Sequence, residues 1–218
     1  MKAMIKAILF LFMCLRVQAG LVDPTYIREF LTKQGCWAGM HGAREENLGA
    51  GMLYYGMVYA MRAKTCVCLG SGDGFVPRVL RQAQRDLALE NSRTILIDGN
   101  TGRCGRPQWL LENSILKKEF PDIEIIEKTT HEALEDVKEW KIDYLHIDAD
   151  RTVKGALQDF FDYLPYMAEN GVISLHDTAP NAPCGPVVAK IRELGYSVIN
   201  LSHLGTGLAL IEVGYKQP

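Results

Sequence analysis

Two stretches carry titratable side chains directly behind apolar runs: Tyr144-Leu145-His146-Ile147-Asp148-Ala149-Asp150 and Ser174-Leu175-His176-Asp177-Thr178. If both runs are neighbouring parallel strands, about 4.8 Å apart, Asp148, Asp150, His176 and Asp177 crowd one sheet edge. Carboxylates gathered there, with Arg151 as the adjacent cation in sequence, either share protons or bind a metal ion. Asp148 and Asp177 are the expected metal ligands. Oxygen donors suit magnesium, calcium or manganese, and His176 would widen the set to iron or zinc. His176 is also the side chain there that titrates near neutrality, so Asp148 and His176 form the candidate catalytic pair. The competing reading packs His176 as a supporting core residue. Asp150 reads first as a helix cap and second as a ligand.

A third stretch, Cys66-Val67-Cys68-Leu69-Gly70-Ser71-Gly72-Asp73-Gly74-Phe75, runs from an apolar strand into a glycine turn. Gly70, Ser71, Gly72 and Gly74 would let backbone approach a ligand at a helix N-terminus. The spacing is GxGxG, which differs from the GxGxxG of the dinucleotide fingerprint. Asp98 ends the next apolar run, where a carboxylate can accept both hydroxyls of a ribose.

The elements that must hold these residues follow from hydrophobic period. Apolar runs at Thr65–Leu69, Thr94–Ile97, Ile123–Ile126, Tyr144–Ile147 and Val172–Leu175 alternate with helical segments. Arg151–Met167 shows Val153, Ala156, Leu157, Phe160 and Leu164 on one helical face. Short, almost wholly apolar strands between helices predict a parallel sheet covered on both faces. Tyr196–Leu201 and Leu208–Val213, flanking a glycine-containing loop, predict an antiparallel pair at its edge. The fold class is therefore an open, doubly wound α/β sheet, mostly parallel, with helices on both faces. Upstream, Asp23-Pro24 opens a short helix, Gly35 to Gly42 reads as loop, and a second helix covers about Leu48 to Arg62.

The 218 residues carry 24 Lys+Arg against 26 Asp+Glu, which gives nucleic acid no basic footprint to bind. At 48% hydrophobic and 23% charged, the chain is globular rather than disordered. The cysteines Cys14, Cys36, Cys66, Cys68, Cys104 and Cys184 lack a disulfide or zinc spacing, so buried structural thiols are expected. Lys2 and Lys6 precede the apolar run Ala7–Leu15, and Arg16-Val17-Gln18-Ala19-Gly20 follows. That outline fits a secretory signal or a short anchor, and the run is too short for an ordinary membrane-spanning helix. The chain thus divides into residues 1–20 (signal-like or anchor), 21–63 (N-terminal helices on the substrate side) and 64–218 (the main α/β domain).

Taken together, the glycine stretch, Ile97-Asp98, His146-Ile147-Asp148-Ala149-Asp150 and Gly171-Val172-Ile173-Ser174-Leu175-His176-Asp177-Thr178 resemble the successive motifs of class I S-adenosylmethionine (SAM)-dependent methyltransferases. The similarity spans about Leu48 to Val213 and is greatest to small catechol-, caffeoyl- and macrocin-type O-methyltransferases. It implies a Rossmann-like fold and methyl transfer from SAM to an oxygen of a small hydroxylated acceptor, with a divalent cation such as Mg2+ assisting. Gly70, Ser71, Gly72 and Gly74 would then wrap the methionine part of SAM, Asp98 its ribose, and Thr130 and His131 its adenine. Asp148 and Asp177 match metal- or substrate-binding positions. Two residues depart from the family pattern: Cys68, where an acidic residue is usual, and Arg151, where histidine is frequent. These departures and the leader leave an inactive, methyltransferase-like binding or export protein as the alternative. A nicotinamide-dependent dehydrogenase is disfavoured by the GxGxG spacing and the antiparallel edge. Expected partners are the small acceptor, a membrane through residues 1–19 and a second copy of the chain.

SAM is made in the cytoplasm, so a catalytic domain is expected to stay there, with residues 1–19 a retained anchor or a dispensable extension. N-terminal sequencing of the protein from its native host tests this. A chain beginning at Gly20 in an exported fraction would defeat it.

Overall fold

A computed structural model describes residues 23–33, 37–70, 72–99 and 111–216. Residues 1–20, Cys14, Cys36, Ser71 and Cys104 of the sequence reading lie outside the described residues. Seven strands form one sheet: β1 Thr65–Leu69, β2 Arg93–Ile97, β3 Ile123–Ile126, β4 Ile142–Ile147, β5 Met167–His176, β6 Tyr196–Leu201 and β7 Leu208–Lys216. Their order is β3-β2-β1-β4-β5-β7-β6. The first five are mutually parallel, whereas β7 runs antiparallel to both β5 and β6. The helices are α1 Gly51–Met61, α2 Phe75–Asp86, α3 Ile115–Glu119, α4 Leu134–Val137, α5 Val153–Tyr163 and α6 Gly185–Glu193. Among the described residues no helix is long and apolar enough to cross a membrane.

The period of two along each strand sorts the core into two layers. Cys66, Cys68, Leu96 and Tyr144 face α1, α2 and the N-terminal segment. Val67, Leu69, Ile95, Ile97, Leu145 and Ile147 face α5 and α6 on the other side. His146, Ser174 and His176 have the parity of the first group, so their side chains point toward the N-terminal segment. That parity places the imidazoles and Asp148 on one face.

Local chemistry explains where elements stop. Asp23 caps the first helical turn, Pro24–Tyr26, by accepting from the amides of Thr25 and Tyr26, and the chain continues as a π-helical turn, Ile27–Thr32. The helix expected over Arg151–Met167 is α5 followed by a 3-10 turn at Leu164–Tyr166, because Pro165 cannot donate to an α-helical ladder. Its cap is Thr152, whose hydroxyl accepts from the Gly155 amide at 3.0 Å. Asp150, expected in that role, instead accepts from the Thr152 amide at 2.9 Å, one step outside the helix.

The N-terminal segment is fixed across the glycine turn by two buried charges. Arg78, on α2, is 1% exposed and donates to the carbonyls of Gly74 (2.9 Å), Phe30 (2.9 Å) and Lys33 (3.2 Å). Burial pulls its guanidinium down to about 10, against the nearby Asp73 carboxylate. Asp73 accepts from the Trp37 amide at 2.8 Å and the Phe75 amide at 3.0 Å.

Two expectations follow. Arg78→Ala should cost about 3–5 kcal/mol, the range for removing one partner of a buried charge pair, because three carbonyls lose their donor and Asp73 loses its nearby cation. Gly70 and Gly56 make a second, paired case. Gly70 has φ +71 and its Cβ would sit 2.5 Å from the Asp148 carbonyl oxygen, whereas a Cβ at the helical Gly56 meets nothing within 4 Å. Gly70→Ala should therefore destabilise by about 1–2 kcal/mol from backbone handedness alone, with the clash added. Gly56→Ala should stabilise by about 0.5–1 kcal/mol. Urea unfolding midpoints of the three variants against the parent chain measure all of this.

Candidate active site

The carboxyl ends of β1, β2 and β4 are locked side by side beyond their ladders. The Gly70 amide donates to the Ile97 carbonyl at 2.8 Å, the Asp148 amide to the Leu69 carbonyl at 2.9 Å, and the Asp98 amide to the Ile126 carbonyl at 3.1 Å. Gly70, Asp98 and Asp148 therefore leave three adjacent strands at one level. Gly70, Gly72 and Gly74 all have positive φ (71°, 62° and 83°), which glycine adopts without strain where the chain leaves β1 for α2. Trp37 covers Gly72, its Cδ1 3.0 Å from where a Cβ would lie. The buried Cys68 thiol donates to the Gly70 carbonyl at 3.1 Å, and burial, with Asp148 and Asp98 nearby, pushes it well above the usual thiol range. A neutral thiol thus stands where an anion was expected from related sequences.

Thr130 and His131 are engaged with α5. The Thr130 hydroxyl donates to Asp159 Oδ1 at 2.6 Å, the Thr130 carbonyl accepts from Tyr163 at 2.8 Å, and the exposed His131 lies 3.3 Å from Asp162. Burial raises the Asp159 carboxyl to about 6.

At the carboxyl ends of β4 and β5, on the face that meets the N-terminal segment, three imidazoles converge. His41, at the end of a 3-10 turn (Ala38–His41), stacks on His176 with ring centroids 3.9 Å apart, and His146 lies 5.9 Å from His41. His176 Nδ1 is 3.3 Å from Asp148 Oδ2 and 3.5 Å from Asp177 Oδ1. His41 Nε2 is 3.9 Å from the same Asp148 oxygen. His41, His146 and His176 are 4%, 0% and 3% exposed, and Asp148 is the partly accessible member. Burial drives His41 and His146 well below the ordinary imidazole value, and the proximity of His176 adds to the effect. His176 moves the other way, since Asp148 and Asp177 outweigh its burial.

Asp148 and Asp177, the expected metal pair, are differently employed. Asp177, at φ +57, accepts from the Thr206 hydroxyl at 2.5 Å and lies 3.6 Å from Arg151. The second departure from the related sequences, Arg151, thus supplies a charge partner for Asp177. Asp148 faces the two imidazoles instead.

Sequence reasoning missed His41, Tyr54 and Thr206. Gly39-Met40-His41-Gly42 read as loop, and its signal was a single histidine between glycines. Tyr54 lay within a helix read only as core. Thr206 lay in the hairpin loop between β6 and β7, which returns to bond Met40: the Thr206 amide donates to the Met40 carbonyl at 2.9 Å.

Comparison with known proteins places the fold. An O-methyltransferase from Streptomyces achromogenes in complex with SAM (TomG, involved in tomaymycin synthesis) superposes with a TM-score of 0.63 at 16% identity, over 86% of this chain and 90% of its own. An SAH-bound methyltransferase from Podospora anserina gives 0.61 at 14%, over 88% and 86%. An O-methyltransferase from Bacillus cereus in complex with SAH gives 0.56 at 16%, over 74% and 80%. At such identities the likeness establishes the shared fold. Comparison with curated proteins gave no significant match. The family model described as a methyltransferase domain matches residues 67–178, from within β1 through the glycine turn and Asp98 to Thr178. With that stretch covering half the chain and every strand that leads into the cluster, the protein belongs to the methyltransferase-domain family.

Proposed function

We propose that this chain transfers the methyl group of SAM to an oxygen of a small hydroxylated acceptor. The observation that carries the reading is the juxtaposition of the glycine turn, Asp98 and the Asp148–His176 cluster on three neighbouring strand ends and the adjacent β5. SAM and SAH in structures of the same fold support the choice of cofactor.

Gly70, Gly72 and Gly74 offer backbone to the methionyl part, and Asp98 accepts from the ribose hydroxyls. The reaction breaks the sulfonium S–C bond as the acceptor O–C bond forms, leaving SAH and the methyl ether, and the hydroxyl proton must leave. Asp148 is the cluster's accessible carboxylate, so it receives the acceptor hydroxyl and its proton. His176, buried behind it, orients Asp148 and tunes its charge. Orientation of the hydroxyl against the sulfonium methyl supplies most of the acceleration, because bringing two reactants into line removes an entropic barrier. The α/β domain acts in the cytoplasm, where SAM is made.

Calorimetry with SAM, SAH and NAD on the purified chain is the direct test. Binding of SAM and SAH without NAD is expected. Asp98→Ala should weaken SAH binding by about 1.5–3 kcal/mol, the range for hydrogen bonds to a charged group. Asp148→Asn should leave SAH affinity within a few-fold while abolishing methyl transfer to a panel of catechols and other hydroxylated acceptors. Tight NAD binding, or unchanged SAH affinity in Asp98→Ala, would overturn the assignment. SAH binding without transfer in the parent chain to any acceptor would favour the inactive binding protein.

A further inference from the structure

The two stacked imidazoles at Asp148 are each held from the outside. His41 Nδ1 is 2.9 Å from the buried Tyr54 hydroxyl. His176 Nε2 is 3.4 Å from the Met40 carbonyl and 3.1 Å from Thr206 Oγ1. A carbonyl only accepts, and the Thr206 hydroxyl gives its one proton to Asp177 Oδ1. With that proton on Asp177, a neutral His176 places its hydrogen on Nε2, toward the Met40 carbonyl. Its Nδ1 then presents a lone pair to two carboxylates, and this atom is fully buried with no hydrogen-bond partner. Acceptors face acceptors. Arg151 stands beside Asp177 at 3.6 Å, so it is at Asp148 that the neutral His176 turns a lone pair toward a carboxylate.

A proton on Nδ1 would answer for His176 alone. It would leave an imidazolium stacked 3.9 Å from a second buried imidazole, whose Nε2 points toward the same Asp148 oxygen. One ring nitrogen of His41, one of His176 and one carboxylate oxygen of Asp148 all lie within 4.8 Å of one another. Outer-nitrogen anchoring by a hydroxyl or a carbonyl is how protein sites fix a ligating imidazole.

We propose that His41, Asp148 and His176 hold a divalent first-row transition-metal ion, of the zinc, cobalt(II) or iron(II) class, through two imidazole nitrogens and one carboxylate oxygen. Two imidazoles favour such ions over magnesium and calcium, which take oxygen donors. The donor set differs from the Asp148–Asp177 oxygen pair expected from sequence. The second Asp148 oxygen remains for the acceptor hydroxyl. Use of the metal in methyl transfer rests on the reading above; its binding does not.

The test uses the full chain, stripped with chelator. Cobalt(II) chloride is titrated while the visible d–d absorption is followed, and zinc and magnesium chlorides are titrated by calorimetry. One cobalt per chain, displaced by zinc and not by magnesium, is expected. His41→Gln and Asp148→Asn should each weaken cobalt binding at least tenfold, with far-ultraviolet circular dichroism unchanged. Tyr54→Phe, which frees His41 Nδ1 and leaves the ring packed, should weaken it by about tenfold, the lower end for loss of an outer-shell bond. Should His41→Gln fail to fold, Tyr54→Phe carries the test. Cobalt bound equally by His41→Gln, by Tyr54→Phe and by the parent, a preference for magnesium, or no binding in any form would overturn the proposal. SAH affinity, measured in parallel, separates this result from the methyltransferase reading: cobalt without SAH binding sinks only the latter.

Discussion

Everything at the reactive edge depends on how closely β1 approaches β4 where the two strands end. The backbone of Gly70 lies so near Asp148 and Ala149 that any side chain would strike the Asp148 carbonyl oxygen. Only glycine, free to adopt positive φ and bearing no Cβ, lets the turn leave the sheet there. That contact sets the level at which Asp148 emerges, and the interstrand bonds set Asp98 beside it. A displaced Gly70 would move the glycine turn and the Asp148 carboxylate together. The placement of both strand ends thus rests on a single steric tolerance.

The N-terminal segment is the second partner in the site, and electrostatics hold it. Arg78 and Asp73 are buried charges that spend their hydrogen-bonding capacity on backbone groups of the segment and the turn rather than on solvent. Such an arrangement is costly to desolvate and correspondingly intolerant of partial loss. It explains why a stretch with little regular structure can deliver His41 to a fixed position against β4 and β5. The two residues that depart from the resembled family pattern are likewise consistent with their surroundings. Cys68 ties the thiol to the glycine turn, and Arg151 stands beside Asp177.

Much of the sheet was legible because buried parallel strands need unbroken apolar runs, and five such runs stand out. The antiparallel edge was legible from its glycine loop. Boundaries were less so: β5 begins at Met167, five residues before the apolar run, since Pro165 ends the helix early and the chain extends at once. Glycine and carboxylate positions at strand ends could be read because topology puts every parallel strand end on the same edge. His41 could not, because its role comes from contacts with residues over a hundred positions away, and nothing in its neighbours' spacing encodes them. Thr130 and His131 illustrate the converse. Their place after β3 was readable, but the bonds that turn them onto α5 come from Asp159, Tyr163 and Asp162, far along the chain.

The bond from the Thr206 amide in the β6–β7 hairpin to the Met40 carbonyl spans 166 positions of sequence. Gly205 comes so close to Met40 and Gly42 that the hairpin loop and the 3-10 turn can close only against each other. A chain emerging from the ribosome meets this requirement last: the first five strands can pair while His176 still lacks Thr206 and the loop near His41 lacks its lid. Long-range closure of this kind is slow compared with local helix formation. Synthesis therefore yields the five parallel strands before the hairpin that completes the sheet and closes on His176. A chain ending before Thr206 would carry the glycine turn but lack the hairpin's contacts to Met40 and His176.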